Sequence, residues 1–234
     1  MHAHTDNRTE FMIGDRSIAV LAQRDDLLVL DKPAGVSLLA DRSGAPCLWD
    51  ALRAALAPVR PFQVHRLDKG TSGTLLIATS QARQRELTKL FAARRVRKYY
   101  AARCVGRPEL SGTGFIDLPL RKGRKSRYRV AGPRESIKRE DRIWRLAPDD
   151  GGGHPSQTRL RCRDDWLLLQ PLTGRTHQLR VHLAWIGHAL RGDHLYGRPD
   201  DPAQAAPRLL LHCHRLVVPG VGSFRAPLPG DWPG

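Results

Sequence analysis

The segment from His65 to Gly73 carries the residues of this chain that are best suited to chemistry. It reads His-Arg-Leu-Asp-Lys-Gly-Thr-Ser-Gly and leads directly into an apolar run. Asp68 stands among His65, Arg66 and Lys69, and this electropositive neighbourhood favours an ionised carboxylate at neutral pH. Such a carboxylate can act as a base or as a nucleophile. The alternative is a turn aspartate that accepts hydrogen bonds from nearby backbone N–H groups.

Apolar strands on both sides would hold this polar loop in place, as sheets commonly do for catalytic loops. Residues 27–30 predict a buried strand that enters a turn at 31–35, and the ordered fold is expected to begin there. Residues 74–79 predict a second strand, and Ser80 can cap a following helix. The apolar face of that helix would consist of Leu87, Leu90 and Phe91.

The second half of the chain predicts more strands than helices. Residues 95–105 favour a strand, and residues 157–162 and 166–170 favour a strand pair. Residues 123–153 are polar, charged and punctuated by Gly and Pro, which favours an exposed connection or an irregular hairpin. Because only two helices are recognisable, the pattern predicts an α+β protein with a mixed or antiparallel sheet.

The second of these helices can start at Thr176 and end at Gly187. Its apolar stripe would consist of Leu179, Leu183 and Ile186, which places Arg180 on the flank of that stripe. Arg180 is thus expected beside the buried face and not opposite it.

Charge points to a polyanionic partner. Lys and Arg number 39 against 23 Asp and Glu, which gives a formal charge of +16. Six of the nine residues from Arg121 to Arg129 are basic, and the run 94–98 leads into Tyr99 and Tyr100. Cations beside aromatic rings suit RNA, whose phosphates and unstacked bases they can bind. A basic surface with no polyanion to bind is the alternative.

The sequence gives little support for a membrane protein, a secreted protein or a cysteine-based metal site. The chain lacks an apolar run of the ~18 residues needed to span a membrane, and its first residues lack the apolar core of a secretory signal. A cytoplasmic location is therefore expected. The cysteines form no C-x-x-C pair, so reduced, buried thiols are expected at Cys47, Cys104, Cys162 and Cys213.

The segment 65–73 closely resembles the H-R-L-D-x-x-T-S-G signature of the RluA-like family of pseudouridine synthases, within the RluA/RsuA superfamily. Further blocks follow the family's order: Leu-Asp-Lys-Pro-Ala-Gly at 30–35, Leu-Thr-Gly-Arg-Thr-His-Gln-Leu-Arg at 172–180, Gly187-His188, and Gly-Asp-His-Leu-Tyr-Gly at 192–197. Gly70 departs from the commoner pattern, in which an acidic or polar residue stands at this place.

The resemblance implies the pseudouridine synthase fold, a long mixed, mostly antiparallel sheet with flanking helices around a central RNA-binding cleft. A stand-alone catalytic domain without an S4 domain is expected over 21–220. Residues 1–20 are expected to form a flexible tail, and residues 221–234 a Pro/Gly-rich tail.

The resemblance also assigns roles to residues. Asp68 matches the essential aspartate, Tyr100 the tyrosine that packs on the target base, and Arg180 the arginine that pairs with the aspartate. Tyr99 and Tyr100 point to opposite faces if they lie on a strand, and Tyr100 is preferred on the K-x-Y match. Substrate-binding roles are predicted for His65, Arg66, Thr71, Lys98, Arg175, His177 and Gln178.

Some of these assignments have alternatives. Tyr100 could be a core tyrosine, and Arg180 could be a surface residue. Arg175 could pair with Asp68 in place of Arg180, or bind a backbone phosphate. Arg66 could fill the space that a flipped-out base leaves.

The expected reaction isomerises uridine to pseudouridine in ribosomal RNA, transfer RNA or both, and it needs no cofactor and no metal. A monomer is expected. One rival reading is an RNA-binding protein without catalysis. A glycosidase would need a second acid, for which the candidates are the pairs at 25–26, 149–150 and 164–165. A metal nuclease would use residues 212–214 with His194.

Overall fold

The computed structural model describes residues 9–41, 43–106, 108–110, 112–124, 127–147, 152–198 and 200–232. By contacts the chain divides into two compact units. The first unit comprises Met1–Arg97 with Cys213–Pro229, and the second comprises Lys98–His212 with Gly230–Gly234. These bounds differ from the single domain predicted over 21–220.

The described residues contain fifteen strands and three α-helices. The strands are β1 (Glu10–Ile13), β2 (Arg16–Arg24), β3 (Leu27–Lys32), β4 (Phe62–Gln63), β5 (Ser72–Ala78), β6 (Arg97–Arg103), β7 (Thr113–Asp117), β8 (Leu120–Lys122), β9 (Tyr128–Val130), β10 (Ile137–Glu140), β11 (Ile143–Leu146), β12 (Gln157–Arg163), β13 (Trp166–Pro171), β14 (Leu211–Val218) and β15 (Gly222–Arg225). The helices are α1 (Leu48–Leu56), α2 (Gln81–Ala92) and α3 (Gln178–Trp185).

The first unit is built on antiparallel pairs of β1 with β2, β2 with β3, and β3 with β5. β14 lies next to β5 and pairs antiparallel with β15. The strands predicted at 27–30 and 74–79 are confirmed as β3 and β5. All seven residues of β5 are buried, so the strand that follows the Asp68 loop lies in the core of this unit.

The segment 1–20, expected as a flexible tail, contains β1 and the start of β2 from Glu10 onward. Phe11 and Ile13 are buried whereas Met12 is exposed. This alternation of period two is the pattern of a half-buried strand. Residues 1–8 lie outside the described residues.

Helix α1 was not predicted, so the expectation of two helices is wrong. Leu48 and Leu52 are fully buried at the i, i+4 spacing that puts two side chains on one helix face. Helix α2 is confirmed with its cap, since the Ser80 hydroxyl accepts a hydrogen bond from the Arg83 N–H at 3.1 Å. Leu87 is the fully buried residue of its predicted apolar face.

The second unit contains the strand order β6-β13-β12-β7-β11-β10. The pair of β7 with β11 is parallel, whereas β6 with β13, β13 with β12, β12 with β7 and β10 with β11 are antiparallel. The predicted mixed, mostly antiparallel sheet of the α+β class is therefore confirmed. The β12–β13 pair also confirms the strand pair predicted at 157–170.

Two stretches expected to be irregular contain regular structure. Residues 123–153 include β9 and the antiparallel pair of β10 with β11, in which Trp144 is buried. The C-terminal tail predicted over 221–234 contains β15. In that tail Trp232 is buried against Trp166, with ring centroids 5.4 Å apart. Long-range packing of two tryptophans thus orders a segment whose Pro and Gly content favoured a tail.

Helix α3 begins two residues later than predicted. His177 has φ 56° and ψ 17°, a left-handed conformation outside the helical range, so the helix starts at Gln178. Gly187, with φ 94°, follows the end of the helix as expected. Leu179 and Leu183 are buried and Arg180 is half-buried, which agrees with its predicted place on the flank.

The cysteines are free thiols, and Cys47, Cys104 and Cys213 are buried as expected. Cys162 is half-buried and lies in β12. Within the described ranges, every helix is too short or too polar to cross a lipid bilayer.

Candidate active site

The loop that carries Asp68 is closed by its own backbone and ends against a buried strand. The Thr71 N–H donates to the Asp68 carbonyl at 3.0 Å, which makes a tight turn directly before β5. Leu67 is buried, whereas Asp68 is half-exposed. The backbone is therefore fixed while the carboxylate keeps access to solvent.

A buried lysine fastens this loop from the first unit's β3. Lys32 has no exposed surface, and its ammonium donates to the carbonyls of Pro33 at 2.8 Å and Val36 at 3.0 Å. The same ammonium reaches the Lys69 carbonyl at 3.4 Å, and the Gly35 N–H donates to that carbonyl at 2.8 Å. The turn at 33–36 and the Asp68 loop thus share one set of hydrogen bonds. Lys32 belongs to the Leu-Asp-Lys-Pro-Ala-Gly block, but the sequence did not predict this role.

Replacing Lys32 by Met should lower the rate of any reaction that uses the Asp68 carboxylate roughly 10- to 100-fold, because a reacting group misplaced by about 1 Å loses rate on that scale. Hydrogen exchange at the Gly35 and Thr71 amides should become faster in this variant, since both amides belong to the fastened loop. The matched control is Lys89→Met in the exposed part of α2. Equal rates for the two variants would contradict a fastening role for Lys32.

The flank of the loop holds an exposed ion pair. The Lys69 ammonium lies 2.8 Å from Asp41 Oδ2. Its hydrogen bond, together with those from Ser43, holds the pKa of the Asp41 carboxyl well below its usual range. Lys69 therefore pairs with Asp41, a carboxylate other than that of the adjacent Asp68.

Two residues of the 65–73 motif that were predicted to bind substrate, His65 and Thr71, are held within the first unit. His65 Nε2 accepts the Leu76 N–H at 2.9 Å, and the ring stacks on Phe91 with centroids 4.8 Å apart. Thr71 is buried. These contacts favour positioning roles for both residues. Arg66 is exposed, which suits the predicted contact with substrate.

Strand β6 carries the predicted tyrosine in the second unit. Tyr100 is 8% exposed and faces Leu169 in the register with β13, whereas Tyr99 is half-buried. The two side chains point to opposite faces of the strand. Lys98 is half-buried, and its ammonium lies beside Gly174, where an added Cβ would be 3.5 Å from Nζ.

Arg180 is held by a buried carboxylate. Its Nε and Nη2 donate to Asp193 Oδ2 at 2.9 Å and Oδ1 at 2.7 Å, and the Asp193 side chain has no exposed surface. Two planar groups joined by two hydrogen bonds fix each other's orientation. Asp193 was quoted in a sequence block without a role, and the structure shows that it orients Arg180.

The family model of the RNA pseudouridylate synthases matches residues 26–185 of this sequence. The chain belongs to this family. That match contains the Asp68 loop, β6 and the residues of α3. The synthase is accordingly an isomerase that converts uridine in RNA to pseudouridine.

Individual relatives are similar in sequence to the synthase over most of its length. It is 34% identical over 221 residues to a dual-specificity RNA pseudouridine synthase RluA of Escherichia coli, which covers 90% of this chain and 93% of that relative. It is 33% identical over 222 residues to an uncharacterized RNA pseudouridine synthase of Zymomonas mobilis, which covers 87% of this chain and 90% of that relative.

Solved structures share its fold. Human RNA pseudouridylate synthase domain containing 1 superposes with a TM-score of 0.68 at 27% identity, over 91% of this chain and 83% of that chain. Human RNA pseudouridylate synthase domain containing 4 superposes with a TM-score of 0.70 at 24% identity, over 90% and 88%. The second similarity speaks for the fold alone.

The rival site residues have structural partners in the synthase. Asp26 and Asp165, considered as acids of a glycosidase, pair with Arg83 at 2.9 Å and with Arg103 at 2.6 Å. Cys213 is fully buried, and His214 Nδ1 bonds to the Ala226 carbonyl at 2.8 Å. Asp149 and Asp150 lie outside the described residues.

Gln178 is buried, and its side-chain amide is used fully within the second unit. Its Oε1 accepts the Thr173 hydroxyl at 2.7 Å and the Arg175 N–H at 3.1 Å. Its Nε2 donates to the Gln157 carbonyl at 2.9 Å and to Thr158 Oγ1 at 3.0 Å. Through these bonds Gln178 positions the loop that precedes α3; its predicted contact with substrate stays a prediction.

The other two predicted binding residues of this loop differ in their contacts. Arg175 is half-buried, and its Nε donates to the Pro155 carbonyl at a long 3.4 Å, so the guanidinium is weakly held. His177 Nδ1 lies 2.7 Å from the Tyr196 hydroxyl. Arg175 thus keeps the properties of a phosphate ligand, while His177 belongs to an internal network.

The polar network continues to His182 on α3. His182 Nε2 donates to the Leu118 carbonyl at 2.9 Å, and its Nδ1 accepts the Thr158 hydroxyl at 3.0 Å. Burial lowers the pKa of this imidazole from 6.5 to about 4. The neutral ring is therefore the form that the fold requires.

This depressed pKa predicts a loss of stability in acid. The folded protein binds fewer protons than the unfolded chain between pH 6.5 and 4. The free energy of unfolding should thus fall by about 1.4 kcal/mol per pH unit below pH 6.5, by about 3 kcal/mol in total. Urea unfolding of wild type and His182→Gln at several pH values tests this prediction. Profiles of equal slope for the two proteins would contradict it.

Proposed function

We propose that the synthase uses Asp68 as its nucleophile. The observation that carries this proposal is a half-exposed carboxylate on a loop whose backbone is fastened to the sheet through Lys32 and Gly35. A fixed backbone and a carboxyl that solvent can reach are what a positioned nucleophile requires. The family membership supports the same residue, since the H-R-L-D segment carries the resemblance.

The reaction balances without an outside reagent. The N1–C1′ bond of uridine breaks, the uracil turns in place, and a C5–C1′ bond forms. The proton that leaves C5 is replaced by one on N1, so the product is an isomer of the substrate. Asp68 can serve this exchange by adding to the sugar or base, or by removing a ribose proton. In each route the carboxylate has to be ionised at the start.

We propose further that Tyr100 stacks on the target uracil and that Arg180 supports the Asp68 carboxylate. The orientation of Arg180 by Asp193 favours a fixed role for its guanidinium. The exposed Arg66 would fill the space of the flipped nucleotide, at an unstacking cost of a few kcal/mol. Arg175 and Lys98 are proposed to bind backbone phosphates.

The proposed substrate is ribosomal RNA, transfer RNA or both. The formal charge of +16 suits a polyanion of either class. The E. coli relative is named a dual-specificity enzyme, which supports testing both classes. We place the reaction in the cytoplasm and expect the synthase to act as a monomer, which light scattering in solution would check.

Mapping of pseudouridine tests this function directly. Ribosomal and transfer RNA would be compared from cells that lack the gene and from cells complemented with wild type or with Asp68→Asn. Loss of a defined pseudouridine in the deletion strain, restored by wild type and not by the variant, is the expected result. An unchanged map in the deletion strain would favour RNA binding without catalysis.

A further inference from the structure

The second unit contains a basic hairpin. Strands β8 and β9 pair with each other in a separate two-stranded sheet, with Arg121 opposite Arg129. Among the described residues of this hairpin, the exposed cations are Arg121, Lys122, Arg124, Arg127 and Arg129. Like charges directly opposite each other destabilise a strand pair. The hairpin therefore carries a charge pattern that its own fold does not favour.

The cations of this hairpin have no carboxylate partner among the residues that the structure describes. The hairpin is instead held at its base, where Leu120 and His154 exchange backbone hydrogen bonds at 3.0 and 2.8 Å. Leu120 and Val130 are buried there. A polyanion at the hairpin would offset the repulsion between its cations.

The Tyr196 hydroxyl connects the hairpin to His177, the residue directly before α3. The Tyr128 N–H of β9 donates to Tyr196 Oη at 2.9 Å, and the same oxygen lies 2.7 Å from His177 Nδ1. Since Oη accepts from Tyr128, its own proton is available for Nδ1 of a neutral His177. The rings of Tyr128 and Tyr196 also contact the His177 ring edge to face.

The same tyrosine contacts the arginine proposed for catalysis. The Arg180 guanidinium lies over the Tyr196 ring, 5.1 Å from its centroid. The Tyr196 N–H donates to Asp193 Oδ1 at 3.1 Å, and Asp193 is the carboxylate that orients Arg180. The hairpin, the start of α3 and the Arg180–Asp193 pair therefore meet at one side chain.

We propose that the hairpin binds RNA phosphates and that Tyr196 is a positioning residue which couples this binding to Arg180. The proposal rests on the proposed function, because it concerns the same RNA and the same arginine. RNA held by the hairpin stabilises the β9 position that the Tyr196 hydroxyl recognises. That hydroxyl in turn fixes the ring on which the Arg180 guanidinium lies.

Charge neutralisation tests the hairpin. The variant Arg121→Gln/Lys122→Gln/Arg129→Gln would be compared with Arg159→Gln/Arg161→Gln/Arg163→Gln, which removes three exposed cations from β12. The probe is a short fluorescein-labelled RNA stem–loop, and the dissociation constant is measured against salt. The hairpin variant should bind roughly tenfold more weakly and lower the salt slope by about 2, as expected for three lost phosphate contacts. Equal losses in both variants would overturn the proposal.

Tyr196→Phe tests the coupling, because it removes the hydroxyl and keeps a ring beside Arg180. We expect the single-turnover rate at saturating RNA to fall about tenfold. In the hairpin-neutralised background the same substitution should have a clearly smaller effect, since the coupled contact is already lost. The same fold-change in both backgrounds would show that Tyr196 acts independently of the hairpin, which overturns the coupling. Urea unfolding of each variant separates these effects from loss of fold.

The outcomes also separate this proposal from the proposed function. If wild type forms no pseudouridine in any RNA, the proposed function fails whatever the hairpin binds. If wild type is active and the hairpin variant keeps wild-type affinity and salt slope, the hairpin proposal alone fails.

Discussion

Asp68→Asn is expected to lower the rate of pseudouridine formation by at least about 10⁴-fold, because an amide supplies neither a nucleophilic oxygen nor a base. The reaction replaces the hydrogen on C5, so release of tritium from RNA that carries [5-³H]uridine measures the rate. Binding of the same RNA should change by less than a few fold, since the substitution keeps the size of the side chain. The loop backbone should also persist, because its hydrogen bonds to Lys32, Gly35 and Thr71 use carbonyl and N–H groups.

Asp41→Asn is the matched control for Asp68→Asn. It makes the same chemical change at a carboxylate that pairs with Lys69, the neighbour of Asp68, and it removes an exposed ion pair. Solvent screens such exposed pairs, so the rate should change only a few fold. More than about 1% residual activity in purified Asp68→Asn would contradict a nucleophilic role. A comparable loss in Asp41→Asn would assign the effect to local charge instead.

Gly73→Ala is expected to destabilise the synthase by about 4 kcal/mol or more, enough to leave little folded protein. Gly73 has φ 112°, a conformation that side-chain-bearing residues rarely adopt. A Cβ at this position would also lie only 2.7 Å from the backbone nitrogen of Cys213 in β14. The backbone of a strand held in a sheet cannot move aside as a flexible side chain can, so this clash is not relieved. Its cost therefore adds to the backbone strain at φ 112°.

Urea unfolding of Gly73→Ala against Gly230→Ala measures this loss. A Cβ at Gly230 would meet no atom within 4 Å, so this control should remain within about 0.5 kcal/mol of wild type. Where Gly73→Ala fails to accumulate, circular dichroism of refolded protein gives the folded fraction. Wild-type stability in Gly73→Ala would show that β14 does not approach the loop as described.

Patterns contained within one short segment were predictable from the sequence. The apolar runs at 27–30 and 74–79 became β3 and β5, and Ser80 caps α2 through the Arg83 N–H. The strand pair β12–β13 closes around a local turn. In each case neighbouring residues supply both the hydrophobic period and the hydrogen-bonding group, so no distant partner had to be known.

Elements whose order depends on distant partners were missed or misplaced. Residues 10–13 were expected to belong to a flexible tail, but they form β1 by pairing with β2. Trp232 was expected to belong to a Pro/Gly-rich tail, but it is buried against Trp166. Helix α1 was not predicted, although Leu48 and Leu52 have the i, i+4 spacing of one helix face.

For the candidate site, the sequence by itself determined the candidates, because side-chain type and motif spacing are local properties. The resemblance to the pseudouridine synthases then pointed to Asp68, Tyr100 and Arg180, which remain the proposed catalytic set. Only the tertiary structure decided what holds them. The Lys32 ammonium reaches a carbonyl 37 residues away, and Asp193 orients Arg180 from 13 residues along the chain. The internal hydrogen bonds of Gln178 and of His65 were likewise not visible in the sequence, since they depend on which segments the fold brings together.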